Sequence, residues 1–80
     1  MNRHELRNTL QAEGIRSDAY GLDGGHPNEC YVLSGNDPIW SVYYSERGLE
    51  TGLRQFGSEE AACEYLLTIL REDPTTKMAK

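Results

Sequence analysis

The chain has 80 residues and a net charge of −5. A chain this short buries only about 60% of its unfolded surface, so one small domain with a thin core is expected. Residues 1–73 contain six arginines and no lysine against thirteen acids, a net charge of −7. This charge disfavours direct binding to nucleic acid and favours attraction to cationic partners.

Hydropathy and cysteine content predict a cytoplasmic protein. No apolar run is long enough to span a membrane, and the N-terminal residues lack the apolar region of a signal peptide. Two cysteines, Cys30 and Cys63, are too few for a disulfide framework. Two free thiols that pack as small apolar residues are favoured, with a disulfide between a strand and a helix as the alternative.

The first predicted element is a helix over residues 2–13. Leu6 and Leu10 lie four residues apart and form a narrow apolar stripe. Gly14 stands where a left-handed C-terminal cap belongs, and Ile15 is placed to fold back on Leu10, as in a Schellman motif. A helix with so narrow a stripe must pack against other elements to persist.

The middle of the chain predicts a sheet of three or four antiparallel strands. β-branched and aromatic residues, with partial alternation, place the strands at residues 16–22, 29–34, 39–45 and 49–56. Glycine, proline and short polar residues predict loops at residues 23–28, 35–38 and 46–48. Gly48 suits a positive φ, so the last two strands are expected to form a hairpin.

Alternation within the third strand assigns its two faces. Trp40, Val42 and Tyr44 are the bulkier set and are expected to face the core. That arrangement leaves Tyr43 on the open face of the sheet. A slip of one residue in strand register would exchange the two sets.

The last predicted element is a second helix. Ser58 is a suitable N-cap, and Glu59 and Glu60 fill the first turn, where the helix dipole favours acids. Pro74 prevents continuation. One apolar face is formed by Ala62, Tyr65, Leu66, Ile69 and Leu70.

The predicted fold class is therefore α+β, with both helices on one face of the sheet. The order is an N-terminal helix, a three- to four-stranded antiparallel sheet and a C-terminal helix. Residues 1–74 are expected to form the single domain, and residues 75–80 a flexible tail.

No residue set in the sequence identifies a reaction. His4 and His26 lie on different predicted elements, and no lysine precedes Lys77 to serve a nuclease-like site. Neither a catalytic residue, a bound metal nor a cofactor is expected. A small enzyme or metal-binding domain remains an alternative, in which His26, Asp23 and Glu29 would converge on an ion.

A protein-binding surface fits the composition better. Tyrosine, tryptophan and arginine are typical anchors of interfaces, and surrounding acids would attract a basic partner. The candidate partner-binding residues are Asp18, Tyr20, Asp23, Glu29, Tyr31, Tyr43, Glu46, Arg47 and Glu50. The alternative interpretation is half-buried sheet tyrosines beside solvated acids.

Residues 40–48, Trp-Ser-Val-Tyr-Tyr-Ser-Glu-Arg-Gly, are followed by Phe56-Gly57-Ser58-Glu59 and then by Ala62, Tyr65 and Leu66. This pattern resembles small immunity proteins that are encoded beside bacterial polymorphic or contact-dependent toxins. The resemblance covers roughly residues 29–70. It implies a cytoplasmic protein without catalytic activity that binds and neutralises one cognate toxin domain, often a nuclease. It also implies Glu46 and Arg47 as candidate contact residues.

Three functional hypotheses remain open from the sequence, of which the small enzyme or metal-binding domain described above is the third. The first is an immunity protein with a basic toxin partner, acting by occlusion of the active site or by docking beside it. The second is an acidic interaction module, a phage-type inhibitor or a nucleic-acid mimic with another partner. An exposed sheet edge permits either a monomer or a homodimer.

Overall fold

The computed structural model describes residues 1–25, 29–36 and 39–76. Two helices and four strands follow one another as α1 (Arg3–Ala12), β1 (Tyr20–Gly21), β2 (Cys30–Asn36), β3 (Ile39–Glu46), β4 (Leu49–Phe56) and α2 (Glu59–Glu72). Short 3-10 turns occupy Ser17–Ala19 and Pro74–Thr76. The strands lie side by side in the order β1-β2-β3-β4. The α+β class and the predicted order of helices and sheet are confirmed.

Helix α1 begins and ends at local sequence signals. The Asn2 side chain accepts a hydrogen bond from the Glu5 amide at 2.8 Å, and the Glu5 carboxylate accepts one from the Asn2 amide at 3.0 Å. This reciprocal pair is a capping box. At the other end Gly14 has φ +75°, and the Ile15 amide donates to the Leu10 carbonyl at 3.0 Å. The predicted Schellman motif is therefore confirmed.

The first strand is shorter than predicted and makes the sheet mixed. Only Tyr20–Gly21 of the predicted strand 16–22 pairs with β2, and it runs parallel to β2, whereas β2, β3 and β4 are antiparallel. The preceding residues Ser17–Ala19 form a 3-10 turn instead. Short polar side chains such as Ser17 and Asp18 favour local turns over an extended ladder, which accounts for the lost part of the strand.

The main core lies between the two helices and one face of the sheet. Leucines of α1 and α2 pack in one buried cluster with sheet residues, so both helices cover the same face, as predicted. Trp40 belongs to this cluster and lies on Gly35 of β2, its partner across the ladder. The buried side chains that define the cluster include Leu6, Leu10, Leu33, Val42, Leu66 and Leu70.

The opposite face of the sheet carries a second, smaller cluster. Cys30, Val32 and Tyr43 pack together there, and Tyr43 is only 4% exposed. The Tyr43 hydroxyl donates a hydrogen bond to the Gly25 carbonyl at 2.6 Å, and the Gly24 amide donates to the Leu33 carbonyl at 3.0 Å. The segment after β1 therefore folds over this face.

Tyr43 was expected to be exposed, and that expectation was wrong. Alternation identified the correct face for Tyr43, but it contains no information about a loop that returns across that face. The cysteines are both buried and free, as favoured from the sequence. Cys30 belongs to the smaller cluster and Cys63 to the main one.

The β3–β4 hairpin follows its prediction closely. Arg47 and Gly48 have φ values of +53° and +79°, so both central residues of the turn are left-handed, as a type I′ turn requires. Strand β4 is irregular because Gly52, with φ +65°, lies where the ladder shifts register against β3. The strand is also largely solvent-exposed, with Leu49 at 66% exposure.

Helix α2 and the turn after it close the fold. The Ser58 hydroxyl accepts a hydrogen bond from the Ala61 amide at 3.2 Å, so the predicted N-cap is confirmed. Beyond Pro74, Thr76 is buried, and its carbonyl accepts a hydrogen bond from the Arg16 amide at 2.7 Å. Thr76 therefore packs against the rest of the described chain, two residues beyond Pro74. Residues 77–80 of the predicted tail lie outside the described residues.

Candidate partner-binding site

Two adjoining depressions lie among the described residues. Both are lined by Tyr31 and Tyr44, and we call them together the tyrosine groove. The apolar depression, of about 230 Å³, extends toward Tyr65 and Ile69 of α2. The polar depression, of about 290 Å³, extends toward the C-terminal turn, with Arg16, Glu29, Asp73, Thr75 and Thr76 in its lining.

Strand register brings the two central tyrosines together. Tyr31 of β2 lies directly opposite Tyr44 of β3 in the antiparallel ladder. Their ring centroids are 4.9 Å apart with an interplanar angle of 66°, an edge-to-face arrangement that aromatic pairs favour. The Tyr31 hydroxyl donates a hydrogen bond to the Asp73 carboxylate at 3.0 Å. Tyr31 is therefore held in place at both its ring and its hydroxyl.

The groove is negatively charged around Tyr44. Burial raises the pKa of the Tyr44 hydroxyl, and the negative charges of Glu46, Glu29 and Asp73 raise it further. Burial also raises the pKa of Tyr31 to about 12, with the hydrogen bond to Asp73 as the next cause. Both phenols therefore stay neutral at physiological pH, while the carboxylates beside them supply the charge.

Asp73 is the most tightly held of these carboxylates. It accepts hydrogen bonds from the Thr75 hydroxyl at 2.7 Å and from the Thr75 amide at 3.0 Å. These bonds are the main reason that the pKa of Asp73 is lowered, and the bond from Tyr31 lowers it further. Hydrogen bonds to the ionised form favour ionisation. Asp73 therefore carries a full negative charge at neutral pH.

The lowered pKa of Asp73 makes stability depend on pH in a defined direction. Its stabilising contribution is present above the ordinary pKa of 3.8 and is lost as the pH falls through the lower folded-state value. Asp73→Asn is expected to reduce the free energy of unfolding at pH 7 by about 1 kcal/mol. Urea denaturation should show that this deficit shrinks on acidification to about pH 3. A deficit that stays constant with pH would contradict the assignment.

The structure brings three of the nine candidate residues to this groove. Glu29, Tyr31 and Tyr43 line it, whereas Glu46 lies outside the lining, two residues beyond Tyr44 on β3. Arg47 and Glu50 are exposed beside Glu46 at the turn of the β3–β4 hairpin. The hairpin turn and the groove therefore lie at the same end of the sheet.

Two acidic candidates lie outside the groove and form ion pairs elsewhere. Asp23 forms ion pairs with Arg3 at 3.6 Å and Arg7 at 3.9 Å. Because Arg3 also lies over Trp40, Asp23 belongs to the other end of β3. Asp18 pairs with Arg16 at 3.6 Å, next to the groove but not in its lining.

Two of the predicted tyrosine anchors do not provide exposed rings. Tyr20 is half-buried against the main core, and Tyr43 is buried on the opposite face of the sheet. The three tyrosines proposed from the sequence therefore do not form one patch. Of that set, Tyr31 and Tyr43 are both in the lining of the groove, but Tyr43 is buried in the smaller cluster.

Sequence reasoning missed three groove residues, which are Tyr44, Tyr65 and Asp73. Tyr44 was assigned to the core, but it is half-buried at the open end of the ladder. Tyr65 lies on the apolar face of α2, as predicted, but close enough to the border of that face to line the groove as well. Asp73 had one usable signal, since an aspartate followed by Pro-Thr-Thr is typical of a turn closed by its side chain.

Residues 1–25, 29–36 and 39–76 offer no candidate metal site. Within those ranges no group of three or more histidine, cysteine or acidic side chains is placed to hold an ion. His26 lies outside the described residues. No helix in the described part of the chain is long and apolar enough to cross a membrane.

No protein-family model, curated protein or solved structure matches this chain.

Proposed function

We propose that this chain is a cytoplasmic immunity protein that binds and neutralises a cognate, basic toxin domain, such as a nuclease. The observation that carries the proposal is the convergence of Glu29, Glu46 and Asp73 around the Tyr31–Tyr44 pair. Aromatic anchors within a charged rim are characteristic of protein interfaces. The resemblance of residues 29–70 to immunity proteins supports the same function.

The rigidity of the groove supports binding without a large ordering cost. Tyr31 is fixed by its ring contact with Tyr44 and by its hydrogen bond to Asp73. Asp73 is itself fixed by Thr75. A partner that docks here would meet side chains already held in position, and preorganisation of this kind favours affinity.

The charge of the domain supports the choice of a basic partner. A nuclease must present positive charge to its phosphate substrate, so an acidic protein is attracted to the same surface. The groove and the hairpin turn place Glu29, Glu46, Glu50 and Asp73 at one end of the molecule. The inhibitor would cover the basic cleft of the toxin, or would dock beside it and exclude substrate sterically.

Charge reversal at this end should slow association with the toxin domain encoded beside this chain. Changing both Glu29 and Glu46 to Lys is expected to reduce the association rate constant about tenfold or more at low ionic strength. The difference from wild type should shrink as salt is added, because salt screens exposed charges. Surface plasmon resonance at several salt concentrations measures both effects.

A matched control distinguishes the effect of where the reversed charges lie from the effect of the change in net charge. Glu60 and Glu64 are exposed on α2, and changing both to Lys alters net charge by the same amount. The α2 variant is expected to bind at close to the wild-type rate. Equal slowing by both double variants would contradict the placement of the docking site, whereas a different partner in pull-down experiments would contradict the proposed function itself.

A further inference from the structure

We propose that the polar depression of the tyrosine groove binds a guanidinium group, so that one arginine side chain of the partner inserts against Tyr44, Glu29 and Asp73. The identity of the partner rests on the proposed function. The chemistry of the depression does not, and it is testable on this protein alone.

The dimensions of the groove suit a single side chain. Each depression is below about 300 Å³, the lower end of the range for pockets that enclose a whole small molecule. Tyr31 and Tyr44 contribute to the lining of both depressions. A long side chain could therefore place its aliphatic stem against the tyrosines and its charged end among the carboxylates.

The polar groups select a planar cation. Glu29 and Asp73 line the polar depression together with the two tyrosines, and Glu46 adds negative charge beside Tyr44. A guanidinium presents several N–H donors in one plane to carboxylates, while its faces stack on aromatic rings. An ammonium group is more strongly hydrated and lacks the planar faces, so lysine should bind less well.

Two of the chain's own arginines already lie over aromatic rings, as the proposed guanidinium would. Arg3 lies 5.6 Å from the centroid of a Trp40 ring, and Arg54 lies 5.7 Å from that of Tyr65, which lines the apolar depression. Among the described residues that line the polar depression, Arg16 is the one cation; it forms an ion pair with Asp18 at 3.6 Å, and its charge also lowers the pKa of Asp73. The two lining carboxylates, Glu29 and Asp73, outweigh the charge of Arg16, and Glu46 adds negative charge beside Tyr44.

A short peptide tests the inference directly. N-acetyl-Gly-Arg-Gly-amide would be titrated into the isotopically labelled protein, and amide shifts followed by NMR. Saturable shifts are expected at Tyr31, Tyr44 and Thr75, with weak affinity because one side chain supplies the contact. The matched peptide with citrulline, a neutral isostere of arginine, should cause no saturable shifts, and the lysine peptide should bind more weakly than the arginine peptide.

Two variants assign the binding to the groove. Tyr44→Ala is expected to weaken binding of the arginine peptide at least about threefold. Glu29→Gln, at an exposed position, should also weaken binding of this peptide, without affecting folding. Glu60→Gln on α2 is the matched control and should bind as wild type does. Equal binding of the arginine and citrulline peptides, equal binding of arginine and lysine, or shifts confined to the hairpin turn would each overturn the inference.

The outcomes separate this inference from the proposed function. If the toxin is neutralised but the arginine peptide does not bind, the guanidinium site is wrong and the immunity function stands. If the arginine peptide binds in the groove but the neighbouring gene product does not, the immunity function is wrong and the guanidinium site stands.

Discussion

Replacement of Trp40 by Ala is expected to lower the free energy of unfolding by about 3–5 kcal/mol, the range for removal of a buried aromatic side chain. Trp40 is 7% exposed and belongs to the main core, where Leu residues of both helices meet the sheet. Total stability in small domains is about 5–15 kcal/mol, so this loss is a large fraction of it. Urea denaturation followed by circular dichroism measures the change.

Gly35 provides an internal test of the reason for that loss. A Cβ atom added at Gly35 would lie 1.8 Å from Cε3 of Trp40, so the indole occupies the space that any other residue needs. Gly35→Ala should therefore destabilise the protein by about 1–3 kcal/mol or more, as overpacking does. Gly57→Ala is the matched control, since a Cβ there meets no atom within 4 Å.

The two substitutions should be strongly non-additive. In a Trp40→Ala background the space above Gly35 is vacant. Gly35→Ala should therefore lower the free energy of unfolding much less there than in the wild type. Additive costs would contradict the direct packing of the indole on Gly35. A stable Trp40→Ala variant that had lost partner binding would instead indicate that Trp40 belongs to the interface.

Elements that depend on local signals could be predicted from the sequence. Asn2 and Gly14 bound α1, Ser58 and Pro74 bound α2, and Gly48 fixes the hairpin between β3 and β4. In each case a cap or turn residue acts within a few positions of itself. The strand limits of β4 were predicted to the residue for the same reason.

Features that depend on distant contacts could not be predicted. Tyr43 is buried because the segment at Gly24 and Gly25 returns over its face, and no pattern within β3 records that path. The groove requires Tyr31 of β2, Tyr44 of β3 and Asp73 after α2 to meet, which depends on strand register and on the end of α2. Individual groove residues such as Glu29 and Tyr31 were identified, but not their arrangement.

The proposed binding surface lies at the opposite end of β3 from the core contact of Trp40. Trp40 packs on Gly35 of β2 at one end, whereas Tyr44 lines the groove and Glu46 precedes the hairpin turn at the other. Substitutions at Glu29 or Glu46 should therefore change binding at nearly constant stability. Trp40→Ala should change stability first, and binding only through loss of the folded population.

Neutralisation of the product of the neighbouring gene, which the proposal requires to be a toxin domain, tests the central claim most directly. The purified domain would be assayed for its toxic activity while this protein is added in increasing amounts. We expect the activity to fall in proportion to added protein and to be abolished near one equivalent, with the Glu29→Lys/Glu46→Lys variant requiring more protein and the Glu60→Lys/Glu64→Lys variant matching the wild type. Full toxic activity in the presence of excess folded wild-type protein would contradict the immunity function.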